Sequence, residues 1–356
     1  MQLGEEFRRV TAEMIHAEPD EIAIMGNTTE GVNVAINGLR YASGDVVVTS
    51  NTEHSGWCLR TTCASGTADL RIVAARGRGL ARVDPGVVRE RPRRRAGAPR
   101  GDLGDLVLDG AVAPLKEIDA AHRVGAEVLV DGAQTAGHVP IDVRASGVDY
   151  YAIPSHKWLC GPDGLGALYV RRDRILTLEL QKVAWGRAAR TTTTRAASRR
   201  SATRSSKFEL TTISGVLLAG TNAATRLYVD SGPEAVFARA CELNRYAEQR
   251  FASIRGVRVT GPTLDGTRSG LFLFSVEGVN PARDVAFLQQ EAKVVCWTVV
   301  QFDSGIRLSL HCFNTEAEID RAAEAERAVR EASRTWCPPP RLRRRPRQLR
   351  RETRTR

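Results

Sequence analysis

Long apolar runs are missing from this sequence. No stretch approaches the roughly 18 residues that a membrane-spanning helix needs, and Met1 is not followed by a basic and then apolar leader. The expectation is a cytoplasmic chain with no membrane partner. Paired cysteines are missing too: the seven thiols, at 58, 63, 160, 241, 296, 312 and 337, are odd in number and include no C-x-x-C. Such usage excludes a disulfide framework or a zinc ribbon and predicts free thiols with no metal site. A G-x-G-x-x-G turn after the first strand is also absent, which argues against a nicotinamide dehydrogenase. GPDGLG (161–166) comes after a lysine-bearing loop, in the wrong setting.

What the sequence has in excess is arginine, but only locally. The formal charge is +11. Residues 89–100 (RERPRRRAGAPR) hold six Arg and one Glu, residues 187–207 hold six Arg and Lys207, and residues 341–356 hold nine Arg and one Glu. These three segments carry more positive charge than the whole chain, so the remainder is net acidic. A nucleic-acid surface spreads its cations over a fold and interleaves aromatics. Here the arginines sit among Pro, Ala, Ser and Thr, a composition that reads as solvated polypeptide and argues against a nucleic-acid partner.

The 356 residues are enough for about two domains. Phe7, Val10 and Met14 share one face of a helix over 5–17, followed by a short buried strand, EIAIM (21–25). Asn27-Thr28-Thr29-Glu30 starts a second helix. Further strands are VVVTS (46–50), EVLVD (127–131), DYYAIP (149–154) and GALYV (166–170), with an amphipathic helix over 113–124. Strands alternating with helices predict an α/β sheet of mostly parallel strands. Beyond residue 214 come helices at about 215–229 and 234–254, LFLFSV (271–276), a helix near 282–292, VVCWTVV (294–300), IRLSL (306–310) and a last helix capped by Thr315 and Glu318. The expected domains are therefore a large α/β unit over 1–232, with atypical Arg-rich stretches at 89–110 and 187–207, a smaller α+β unit over 233–334 and a disordered basic tail over 335–356.

Three strand ends carry chemistry: Asp131 in EVLVDGAQ, Ser155-His156-Lys157 after DYYAIP, and Glu53-His54 after VVVTS. The C-terminal ends of parallel strands are where α/β enzymes build their sites. Taken singly, such an Asp is often a cap, such a Lys is usually solvated and such a His is usually structural.

Three stretches together resemble the class V aminotransferase and cysteine desulfurase family, pyridoxal-phosphate (PLP) enzymes of fold type I: VDGAQTAGHVPIDVRASGVDYYAIPSHKWLCGPDGLGALYV (130–170), MGNTTEGVNVAINGLRYASGDVVVTSNTEHS (25–55) and IRLSLHCFNTEAEID (306–320). The resemblance implies PLP held as a Schiff base on Lys157, with Asp131 pairing the pyridine nitrogen, Gln134 bonding the phenolic oxygen and His54 stacking on the ring. It implies a phosphate cradle of Thr28, Thr29, Ser155 and His156, and a homodimer in which Thr212 reaches the neighbouring subunit's phosphate. Arg307 would clamp the α-carboxylate of an amino-acid substrate. Family members transaminate, desulfurate cysteine, cleave C–S bonds or epimerise, as isopenicillin N epimerases do, and a degenerate homologue is a further alternative. A desulfurase needs a mobile thiol; Cys296 lies inside a strand-like run and Cys312 beside another, so both read first as structural.

Overall fold

The computed structural model describes residues 2–41, 45–50, 71–75, 88–90, 116–180, 203–210, 212–261, 268–299 and 305–335. His54, the Arg-rich residues 91–110 and 187–202, and the tail 336–356 lie outside them.

A seven-stranded sheet has the order β1 (Ile22–Met25), β7 (Gly166–Val170), β6 (Tyr150–Pro154), β5 (Glu127–Asp131), β4 (Val88–Glu90), β2 (Val46–Ser50), β3 (Arg71–Ala75). β5 and β6 pair in parallel, as do β2 and β3, while β7 and β4 run against their neighbours. The other strands therefore share one direction, and their C-terminal ends lie along a single edge of the sheet. β4, contributed by the edge of the Arg-rich region, enters the middle of the sheet antiparallel.

Alternation of side chains places the two halves of the core. Tyr151 and Ile153 of β6 face one way, with Phe7 and Ile15 of the N-terminal segment; Tyr150 and Ala152 face the other, with Val32 and Ile36 of helix α2 (Thr28–Gly38). Both faces are covered, which is why these strands are apolar throughout. The first helix, α1 (Gln2–Met14), stops short of the expected residue 17, because His16 takes a left-handed φ of 58°.

A second sheet has the order β10 (Trp297–Val299), β11 (Gly305–Ser309), β9 (Leu271–Val276), β8 (Val257–Val259). One face, bearing Phe272, Phe274, Ile306 and Leu308, packs on helices α7 (Pro233–Ala252) and α9 (Glu316–Thr335). The expected capping box is present at α9: Thr315 N–H donates to Glu318 Oε2 (2.9 Å) and Glu318 N–H to Thr315 Oγ1 (3.3 Å). The strand expected over 294–300 is shorter, with Cys296 just before it. The opposite face of this sheet carries Leu271, Leu273 and Val299, which enclose Trp158 from the large sheet's loop. No helix among the described residues is long and apolar enough to cross a membrane.

Candidate active site

Helix α2 starts where β1 ends, Asp131 closes β5, and Lys157 lies just past β6, so all three occupy the same edge of the sheet. Asn27 caps α2 by accepting from Glu30 N–H (2.8 Å), which leaves the helix's positive end next to Thr28 and Thr29. Thr28 is buried and its Oγ1 has no hydrogen-bond partner among the described residues; Thr29 is exposed. A buried hydroxyl without a partner is costly, so Thr28 is suited to an anionic group docking at the helix start.

Asp131 is buried and accepts Ala133 N–H at 2.8 Å, which closes the turn into Gln134. Gly132 is required there, since a Cβ would meet the Tyr151 ring at 2.5 Å. Gln134 Oε1 accepts the indole N–H of Trp158 at 3.0 Å. Indole nitrogen only donates, so this bond fixes the amide orientation and leaves the Gln134 NH2 as the free-facing donor. That is the group a phenolic oxygen needs.

Gln134, His156, Lys157 and Arg307 line one cavity of 730 Å³ between the loop after β6 and the second sheet. Lys157 is exposed to it. Arg307 lies on the face of β11 opposite the small core, its Nε is buried with no hydrogen-bond partner among the described residues, and burial pulls its guanidinium below the ordinary value. A guanidinium with an unsatisfied buried Nε, lining the same cavity as an amine, is suited to receive a carboxylate.

One sequence-derived assignment fits less well, and another lies apart from the cavity. The Ser155 hydroxyl lies 2.5 Å from the Pro162 carbonyl and 2.8 Å from that of Leu165. It has a single proton to donate, so it braces its own loop and has none to give a phosphate. Thr212 is exposed, on the strandless stretch before helix α6 (Gly215–Asp230), and does not line the cavity.

Residues that sequence reading passed over hold the site in shape. His138 stacks on Trp158 with ring centroids 3.9 Å apart. Its Nδ1 donates to the Gln134 carbonyl (3.0 Å) and its Nε2 accepts Gly270 N–H (2.7 Å), so the ring is neutral; burial lowers its pKa to about 4. His311 donates through Nε2 to the Trp158 carbonyl (2.8 Å). Trp158 thus joins the lysine loop, Gln134 and the second sheet. Its place directly after Lys157 was the only sequence signal.

Four cysteines are described, and none of them forms a disulfide among the described residues. Cys296 is 1% exposed, burial pushes its thiol up to about 11, and it does not line the cavity. Cys160 does line it, with its thiol raised by burial and by Cys312 nearby. No group of three His, Cys, Asp or Glu among the described residues could hold a metal.

Residues 1–322 match the family model described as Aminotransferase class-V. The chain belongs to the class-V aminotransferase family. Among its relatives, the probable cysteine desulfurase of Methanothermobacter thermautotrophicus is 39% identical over 171 residues, 48% of this chain and 42% of that protein. The cysteine desulfurase of Klebsiella pneumoniae subsp. pneumoniae is 29% identical over 346 residues, 92% of this chain and 82% of that one. A solved structure of the cystine C-S lyase C-DES, in complex with its reaction product cysteine persulfide, is 25% identical with a TM-score of 0.75, covering 91% of this chain and 85% of that one. The same enzyme, as a lysine mutant, has been solved with glycine covalently linked to the PLP cofactor. The expected fold class, α/β of PLP fold type I with a smaller second sheet, is that of these class-V structures.

Proposed function

We propose that this class-V protein is a PLP-dependent enzyme that cleaves the C–S bond of a cysteine-like amino acid. The observation that carries the reading is one cavity lined by an amine, an amide donor and a guanidinium whose Nε has no hydrogen-bond partner among the described residues: Lys157, Gln134 and Arg307.

The residues present fit the cofactor. Lys157 is the amine that would bind it covalently, and its loop is fixed by Trp158. Asp131, at the adjacent strand end, would keep the pyridine nitrogen protonated, and the Gln134 NH2 would donate to the phenolic oxygen. Thr28 Oγ1 and the first amides of α2 would receive the phosphate. When bound, PLP supplies an electron sink for the bonds at the substrate's α-carbon. Arg307 would bind the substrate carboxylate as a planar fork, leaving the amino group toward Lys157. The Lys157 amine, exposed to the cavity, would take the α-proton and return it. A homodimer, as the family resemblance implies, is part of this reading, as is the Thr212 contact across it; the second sheet and its helices over 233–334 would form the smaller domain.

Among the described thiols, none favours transfer over direct release of sulfur. Cys296 is buried outside the cavity, and the raised thiol of Cys160 is mostly protonated at neutral pH, hence a weak nucleophile. The exposed position of Cys160 in the cavity keeps transfer as the second reading. Purified protein supplied with PLP and cysteine or cystine distinguishes them. Pyruvate formed along with sulfide or persulfide, and surviving Cys160→Ala, supports C–S lysis. Alanine lost in that variant supports thiol transfer, and no product from any amino acid rejects both.

A further inference from the structure

The cavity joins polar groups with exposed apolar ones. Lys157, Gln134 and Arg307 line it, and so do Val295, Trp297 and Phe313, which are 80%, 64% and 66% exposed. Apolar side chains of this size are rarely so open unless something covers them in use.

Their placement relative to Arg307 is fixed by sheet register. Trp297 of β10 stands directly opposite Arg307 of β11 in an antiparallel pair. Directly opposed residues share a face of the sheet, with Cβ atoms about 5 Å apart. A carboxylate held by Arg307 therefore has an indole beside it. Phe313 is stacked on His311, with centroids 4.4 Å apart and planes 13° from parallel. His311 in turn holds the Trp158 carbonyl, so this second ring is anchored to the lysine loop. Both rings line the same 730 Å³ cavity as Arg307, and that cavity has room for a side chain beyond the β-carbon.

We infer that the Arg307 site takes amino acids carrying a large flat apolar group beyond the β-carbon, such as S-aryl or S-benzyl cysteine conjugates, and that Trp297 sets this preference. The inference rests on the carboxylate role of Arg307 given under Proposed function. Stacking and burial of a phenyl ring against an indole corresponds to about a 10-fold gain in affinity.

The test uses two carboxylates that lack an amino group and so cannot react with the cofactor: propanoate and 3-(benzylsulfanyl)propanoate. Each is titrated calorimetrically into PLP-loaded protein. The wild type binds the benzyl compound about 10-fold more tightly than propanoate. Trp297→Ala brings the two within about 2-fold, by weakening only the benzyl compound, and Trp297→Phe restores most of the gap. A wild type without the preference, or a preference that survives Trp297→Ala, overturns the inference. Arg307→Ala separates the two levels: weakened binding of both compounds supports the carboxylate reading, and unchanged binding of both removes that reading and the inference with it.

Discussion

Arg307 is a strong base kept from any carboxylate among the described residues, with its Nε buried. Such a group is stabilised only when an anion arrives. Arg307→Ala should therefore raise KM for amino-acid substrates by about 10- to 100-fold, the worth of a charge-assisted hydrogen-bonded pair. The kcat should change much less, because the carboxylate is bound equally in ground and transition states. Steady-state kinetics of the variant checks the split. At this scale the sequence was informative as far as position: Lys157 and Arg307, read as candidates from separate stretches, line one cavity. The bonds of Ser155 to the Pro162 and Leu165 carbonyls were not legible, because they depend on how its loop folds back. His138 and His311 were missed for the same reason, their partners being 132 and 153 residues away.

Elements place those residues, and two junctions are sensitive. The turn after Gln134 passes through Gly137, with φ of 85° and an added Cβ only 2.5 Å from the Leu159 backbone nitrogen. Neither the left-handed backbone nor a main-chain neighbour can yield easily. Gly137→Ala should destabilise the protein by about 2 kcal/mol or more and weaken PLP retention, because Leu159 belongs to the lysine loop; thermal melting and cofactor content measure the two effects. The second junction lies in the small core, where Glu326 of α9 and Asp284 of helix α8 (Pro281–Gln290) are both buried and have oxygens without hydrogen-bond partners among the described residues. Burial pushes Glu326 up to about 7 and Asp284 up to about 6. Both values are raised above the ordinary carboxylate range, so their protonated forms favour the fold, fully at low pH. That stability is lost as pH rises through about 6 to 7. The melting temperature should fall between pH 5 and pH 8 and fall less in Glu326→Gln; an equal fall in the variant would exclude Glu326 as the source.

Element prediction succeeded where the pattern was local. β6 and β7 are uninterrupted apolar runs buried on both faces, and α9 announces itself by its capping box. It failed at edges. β8 is a three-residue edge strand with alternating partial burial, too short for periodicity to register. β4 pairs antiparallel inside an otherwise co-directional region, an outcome set by tertiary pairing and not by its three residues.

At the scale of the whole molecule, the two sheets meet through Trp158. It follows the lysine, stacks on His138 and is enclosed by Leu271, Leu273 and Val299 of the second sheet. The amine and the guanidinium come from different sheets, and this contact sets their relation. The class-V sequence pattern spans both, which is why the family was readable although the contact itself was not. The most direct test adds PLP to the purified chain and records its visible absorbance, followed by borohydride reduction and peptide mapping of the label. The account predicts a protein-bound imine band with the label on Lys157, and neither in Lys157→Ala. A band that persists in Lys157→Ala, or a label fixed on another lysine, would contradict it.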